Sequence, residues 1–411
     1  MNGLSFLYPS LPNLDVTRHY FPFNDPPMSF YEGAMLAFYP FAIGIMFLMP
    51  LDVLFSTILF YVLYRNQLAL GQAMGWHSLP KFPYRGEQAF GALLGLSLFV
   101  LWVGRRHFIK ILKHATGRGI RPNDAGEPMS YRAAVWGLAA GLVAFVLLLH
   151  RAGMSPWLAT TFSLLFLLIP FVSTRLRTEG GILVHAYGFI APRYMLVTAL
   201  GTRRLGPRNL AALGICFFNR GYRAQQMPHQ LEAFKMASET QLGQRTMLIA
   251  ILLATVIGVL TAFWIQLHLY YKFGADSGYF GPWALGYGHE RLEEIRHWIW
   301  YWTDTDGVSV AFMGVGFTVM SILSYLRIRF FWIPLHPLGY VLAHGGEIGD
   351  LWAPLLVCLI LKWIILKQGG IRSYRQFIPF FLGLALGDFT MGSIWTLFSI
   401  ILNQSMYQFY P

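Results

Sequence analysis

The chain has 411 residues and is 55% hydrophobic, 17% aromatic and only 12% charged, with a mean hydropathy of +0.48. Soluble domains carry about 25% charged residues, so a soluble globular class is excluded, and apolar runs of bilayer length point to a polytopic membrane protein. The net charge of +12 does not indicate nucleic acid, because the arginines are scattered through short loops, where they act as topology signals and meet anionic lipid headgroups.

In chain order, residues 1–33 form a polar, aromatic, proline-rich segment with no cleavable signal peptide. A single all-α transmembrane domain is expected over 34–402, followed by a tail at 403–411. Spans are predicted at 34–64, 88–104, 133–150, 156–174, 246–271, 307–326, 349–367 and 376–402. Two further hydrophobic stretches, 180–200 and 328–343, are broken by Gly and Pro. That makes about eight full spans and two irregular ones, with no internal repeat evident. Segments 105–132, 175–245, 327–329 and 362–375 hold 23 of the 31 basic residues, which makes theirs the cytoplasmic side. "MPHQLEAFKMASETQLGQR" predicts a cytoplasmic helix over about 228–245. "HERLEEIRHWIWYWTD" sets Leu292, Ile295, Trp298, Ile299 and Trp302 at helical spacing, opposite Glu293, Glu294 and Arg296, and predicts an interfacial helix over about 289–303.

Charges inside spans cost about 2.5–3.5 kcal/mol on insertion scales, so each marks a candidate site. "MFLMPLDVLFSTILFYVLY" places Pro50 and Asp52 within an apolar run: either a carboxylate for a proton or cation, or a helix start at a membrane surface. "FVSTRLRTEGGILVHAYGFIAPRYM" sets Arg175, Arg177 and Glu179 before Gly180-Gly181, with His185, Pro192 and Arg193 behind. An unwound segment there would pair Arg177 with Glu179 in a re-entrant site; the alternative is an ordinary basic loop. "FFWIPLHPLGYVLAHGGEIGD" holds His336 between two prolines, with His344, Glu347 and Asp350 around a Gly-Gly break. "GLALGDFTMGSIW" puts Asp388 in mid-span among Gly383, Gly387 and Gly392, which are read as helix-packing positions. Lys362 and the pair His150-Arg151 read as span-end residues, Lys362 snorkelling to the surface. The substrate- or ion-binding candidates are therefore Asp52, Arg177, Glu179, His185, His336 and Asp388.

No spacing matches a zinc or di-metal signature, and Cys216 and Cys358 make no disulfide framework or CxxC motif. Walker A, GxSxG and HExxH are missing, so neither an enzyme nor a cofactor is expected.

Together, "PLDVLFSTILFYVLYR", "FVSTRLRTEGG", "MPHQLEAFKMA", "LHPLGYVLAHGGEIGDLW" and "LKWIILKQGGIRSYRQFIPFFLGLALGDF" resemble a largely uncharacterised prokaryotic membrane family that is similar to the oligopeptide transporter superfamily. The resemblance covers about residues 30–400. It implies a secondary transporter of peptides or metal chelates, with proton or cation coupling, in the bacterial inner membrane. Members of that superfamily are longer, with spans ahead of "PLDVLFSTILFY", so the chain corresponds to their later part. A partner membrane subunit or a second copy would then complete it, or the chain is a non-transporting subunit of a larger complex, with its 13 Trp and 34 Phe facing lipid and neighbours.

Overall fold

The computed structural model describes residues 8, 10–11, 19–25, 28–31, 34–76, 78–119, 123–124, 126–182, 191–216, 218, 225–277, 280, 283–330, 332–346 and 348–402. The fold is all-α. The helices of the described residues are α1 (Pro40–Met46), α2 (Leu51–Ala73), α3 (Arg85–Ala115), α4 (Tyr131–Arg151), α5 (Pro156–Gly180), α6 (Pro192–Leu200), α7 (Thr202–Ile215), α8 (Gln226–Glu239), α9 (Gln244–Phe273), α10 (Trp283–Trp300), α11 (Gly307–Arg329), α12 (Pro337–Ala343) and α13 (Ile348–Leu402). One small antiparallel sheet pairs β1 (His19–Phe21) with β2 (Ala34–Leu36). Among the described residues, seven helices are long and apolar enough to cross a bilayer. The last of them, 55 residues long, breaks at Gly370, whose φ of 63° lies in the left-handed region open to glycine. Its two limbs are the spans expected at 349–367 and 376–402.

The first expected span, 34–64, is corrected. Pro50 carries no amide hydrogen and stops the helix, so α1 ends at Met46 and α2 starts at Leu51. The helix expected over about 228–245 ends at Glu239, before Gln241 at φ 57°, and so stops short of 245. The tail 403–411 and most of residues 1–18 lie outside the described residues.

Contacts divide the chain into two compact units. Unit 1 comprises residues 1–92, 175–186 and 318–411; unit 2 comprises 93–174 and 187–317.

Unit 2 packs Leu149, Met154, Leu158 and Phe162 against Leu210, Leu213, Cys216 and Trp298. Here α10 departs from the interfacial expectation. Ile295 presses on Gly214 and Trp298 is buried, while Leu292 stays exposed. Glu294 also turns inward, 2.7 Å from Arg193, a fully buried guanidinium that stacks 4.4 Å over the Tyr194 ring. No residue of α9 is buried, as a helix facing lipid requires.

Unit 1 contains an inverted repeat. The half-helices α1 and α12 both have seven residues and a proline in the first helical position. Four residues, 47–50 or 344–347, then lead into a long helix, α2 or the first limb of α13. One shift of 297 positions relates Pro40 to Pro337 and Leu51 to Ile348.

The directions follow from the contacts. Along α12, the backbone N–H of His336 meets Ser56, the Tyr340 ring meets Phe60 and the His344 ring meets Tyr64, so α12 runs parallel to α2. Along α1, the thiol of Cys358 meets the Ile43 carbonyl and Lys362 meets that of Phe47, so α1 runs parallel to the first limb of α13. Tyr61, midway along α2, stacks with Trp352 near the start of α13, while the charge of Asp52 at the start of α2 interacts with that of Lys362 further along α13, so these two long helices are antiparallel. Each half-helix thus lies along the long helix of the other repeat, and every direction reverses between repeats. The register agrees to one residue: the shift carries the pair Phe60–Tyr340 onto positions 357 and 43, where Cys358 meets Ile43.

The third helix of each repeat obeys the same exchange. Tyr340 donates to Gln88 of α3 at 2.8 Å, and Asp388 of the second limb accepts from Phe41 of α1 at 3.0 Å.

Candidate functional site

Both half-helices expose backbone groups that hydrocarbon cannot satisfy, and polar side chains, most of them from the opposite repeat, satisfy them. At the start of α1, a carboxylate oxygen of Asp388 accepts the Phe41 N–H. At its end, the ammonium of Lys362 donates to the carbonyls of Phe47 at 3.0 Å and Met49 at 2.6 Å, 4.5 Å from the centre of the Tyr374 ring. Negative charge at the N-terminus and positive at the C-terminus both oppose the helix dipole, each contributing roughly 0.3–1 kcal/mol. The snorkelling expected of Lys362 is therefore corrected: it is 5% exposed and turned inward. A lysine near a span end carries the same local signal in either role, and only its long-range partners separate them.

At the start of α12, Nδ1 of His336 accepts the Leu338 N–H at 3.1 Å, and the Ser56 hydroxyl accepts the His336 N–H at 2.7 Å. That hydroxyl also lies 2.6 Å from the Asp52 carbonyl. At the end of α12, Arg85 donates to the Gly345 carbonyl, the counterpart of Lys362 on α1.

Asp52 occupies the first turn of α2, the helix-start alternative of the sequence reading. Its carboxylate lies 2.8 Å from Arg327, at the last turn of α11. Glu179 pairs with Arg175 at 2.7 Å, one turn apart on regular α5. The unwound Arg177–Glu179 pair is thus corrected: helix persists through Gly180, and the break comes at Gly181, φ 61°. The end of α5 nonetheless reaches the cluster, since Gly180 lies beside Leu338 and Val53, and Gly181 beside Met49.

The structure therefore gathers Asp52, Glu179 and His336, and adds Arg175, Ser56 and Arg327, which the sequence reading left out of the candidate set. The charges of Arg327, Asp52, Glu179 and Arg175 all act on the His336 ring. Asp388 stands at the other half-helix, and the ion pair of the Arg177 turn joins Arg175 to Glu179. His185 lies outside the described residues. His336 is buried while Asp52 and Arg327 stay about one-third exposed, so the cluster joins a helix break to the surface. Among the described residues, no three His, Cys, Asp or Glu side chains gather to hold a metal ion.

This fold defines a polytopic helical membrane protein with two discontinuous helices in inverted repeats. The chain belongs to a family of unknown function, DUF6785, whose sequence profile matches residues 1–411. No curated protein matches it.

Proposed function

We propose that the chain is a secondary transporter, a carrier with no enzymatic step, in the bacterial inner membrane. The observation that supports this is the inverted repeat with a broken helix in each half. Such repeats give a membrane protein two conformations of similar energy, open to opposite sides, because each half can adopt the arrangement of the other. Asp52, Glu179 and His336, with Arg327 and Arg175, are the groups proposed to exchange a proton or cation as the break in α12 rearranges. Peptides or metal chelates as cargo rest on the sequence resemblance alone.

The test is accumulation of a radiolabelled peptide panel in proteoliposomes, with Phe60 and Tyr340 replaced by cysteine. Those rings stand 5.3 Å apart across α2 and α12. Accumulation is expected to follow a pH or Na⁺ gradient, to stop when a reducible bis-thiol linker joins the pair, and to resume on reduction. If neither gradient ever alters accumulation, the carrier reading fails and a non-transporting subunit of a larger complex takes its place.

The native cysteines leave this assay clean. Both are buried, and burial pushes the Cys216 thiol up to about 11, so almost none is thiolate at pH 7. Maleimide is expected to leave the folded protein unlabelled and to modify both thiols after denaturation, as read by mass spectrometry. Fast labelling of the native protein would contradict the packing described.

A further inference from the structure

The two repeats differ most where their long helices are joined. In the second repeat Gly370 alone turns one limb of α13 into the next; in the first, a linker of 11 residues, 74–84, joins α2 to α3. A cavity of about 610 Å³ opens at this linker, a size that takes a solute of moderate mass. Its walls are the last turns of α2, the linker and the start of α3. Tyr64, Trp76 and Phe82 supply aromatic surface, Gln72 an amide, and Lys81 and Arg85 two positive charges, with no Asp or Glu among the described residues of the lining. The Arg85 guanidinium stands 4.9 Å over the Tyr64 ring, and Trp76 and Phe82 meet edge to face.

The cavity also reaches the end of α12. Arg85 holds the carbonyl of Gly345 just after α12, and Tyr64 packs on His344. An occupant drawing on Arg85 and Tyr64 therefore acts on the end of the half-helix whose other end carries the Asp52–His336 cluster.

We propose that this cavity is the solute-entry site of the first repeat and takes an organic oxyanion, a carboxylate or phosphate group on an aromatic or apolar body. The inference rests on the carrier reading for its role and on the cavity walls for its chemistry. Two cations facing an apolar wall select an anion by charge and its body by stacking. The linker lies on the side poor in basic residues, so the site faces away from the cytoplasm.

Equilibrium dialysis of the full chain in phosphatidylcholine nanodiscs tests it, with phenyl phosphate and benzoate as probes and benzyl alcohol as the neutral control. Saturable one-to-one binding of an anion is expected, at least about tenfold tighter than the alcohol, the effect of roughly 1.4 kcal/mol. Lys81→Glu at the exposed rim is expected to weaken it at least tenfold and Gln72→Ala several-fold, whereas Gly383→Ala, outside the cavity lining, leaves it unchanged. Equal affinity for anion and alcohol, or binding indifferent to both lining variants, overturns the proposal. So does displacement by added phosphatidylglycerol, which assigns the cavity to a lipid headgroup. Binding is read without a gradient: a bound anion without uptake removes the carrier reading and keeps the site, and uptake without bound anion does the reverse.

Discussion

Alanine at Gly44 or at Gly339 is expected to prevent unit 1 from folding. A β-carbon on Gly44 would lie 2.3 Å from the Phe381 carbonyl oxygen and 3.0 Å from the Ala385 nitrogen. On Gly339 it would lie 2.8 Å from backbone atoms of Ser56 and Thr57. These obstacles are main chain inside helices, so no side chain can swing away. Relief requires separating each half-helix from the long helix that satisfies its ends, and the cost is then overpacking plus lost hydrogen bonds, about 3 kcal/mol or more at each position. Size-exclusion chromatography in mild detergent is expected to show aggregate in place of a single peak. Gly383 and Gly387, read from sequence as packing positions, are corrected by the same geometry, since among the described residues neither has a neighbouring atom within 4 Å of an added β-carbon. Gly383→Ala and Gly387→Ala are expected to keep the peak and to shift stability by less than about 1 kcal/mol, toward greater stability through helix propensity. Loss of folding in all four variants alike would show that the crossings are not special.

The second large effect is at Lys362. Methionine there keeps the length of the side chain and removes both donors to Phe47 and Met49. Two opposing terms decide the sign. Methionine relieves the desolvation of a buried ammonium, but it strands the Met49 carbonyl and leaves that of Phe47 only the Tyr374 hydroxyl 3.5 Å away, at about 1–3 kcal/mol each. The ammonium is already compensated by the C-terminal end of α1 and by the Tyr374 ring, so the carbonyl cost wins. Lys362→Met is expected to destabilise by about 3 kcal/mol, roughly 6 °C in Tm, and Lys362→Arg by less, because a cation with several donors remains. Thermal unfolding in nanodiscs measures both. An equal or higher Tm for the methionine variant would refute the capping role.

Composition and period revealed the membrane class, most of the spans and the positions of the breaks, because each is written locally. Twenty apolar residues define a span whatever they pack against, and Pro50, Pro337 and Gly181 stand at helix boundaries, although Pro170, Pro354 and Pro379 are carried inside helices. That is also why Asp52 and His336 stood out: a polar residue beside a breaker in an apolar run is anomalous on its own. The predicted Arg177–Glu179 pair failed because Gly180 and Gly181 look alike in sequence, while the helix, supported by the turn-spaced Arg175–Glu179 pair, continues to the first and ends at the second.

What the tertiary structure alone decided is pairing. Lys362 with Phe47, Asp388 with Phe41 and Arg327 with Asp52 are each joined across some 300 residues, and no local pattern encodes a partner at that distance. The inverted repeat stayed hidden for a related reason. Its halves share helix lengths, breaks and register but not side chains: Lys362 closes one half-helix and Arg85 the other, from different places in their repeats. In a bilayer an apolar sequence specifies depth and helicity, because any aliphatic side chain satisfies lipid. Which helices meet is specified by a few small residues and buried caps, and those acquire their meaning only once the backbones are in contact.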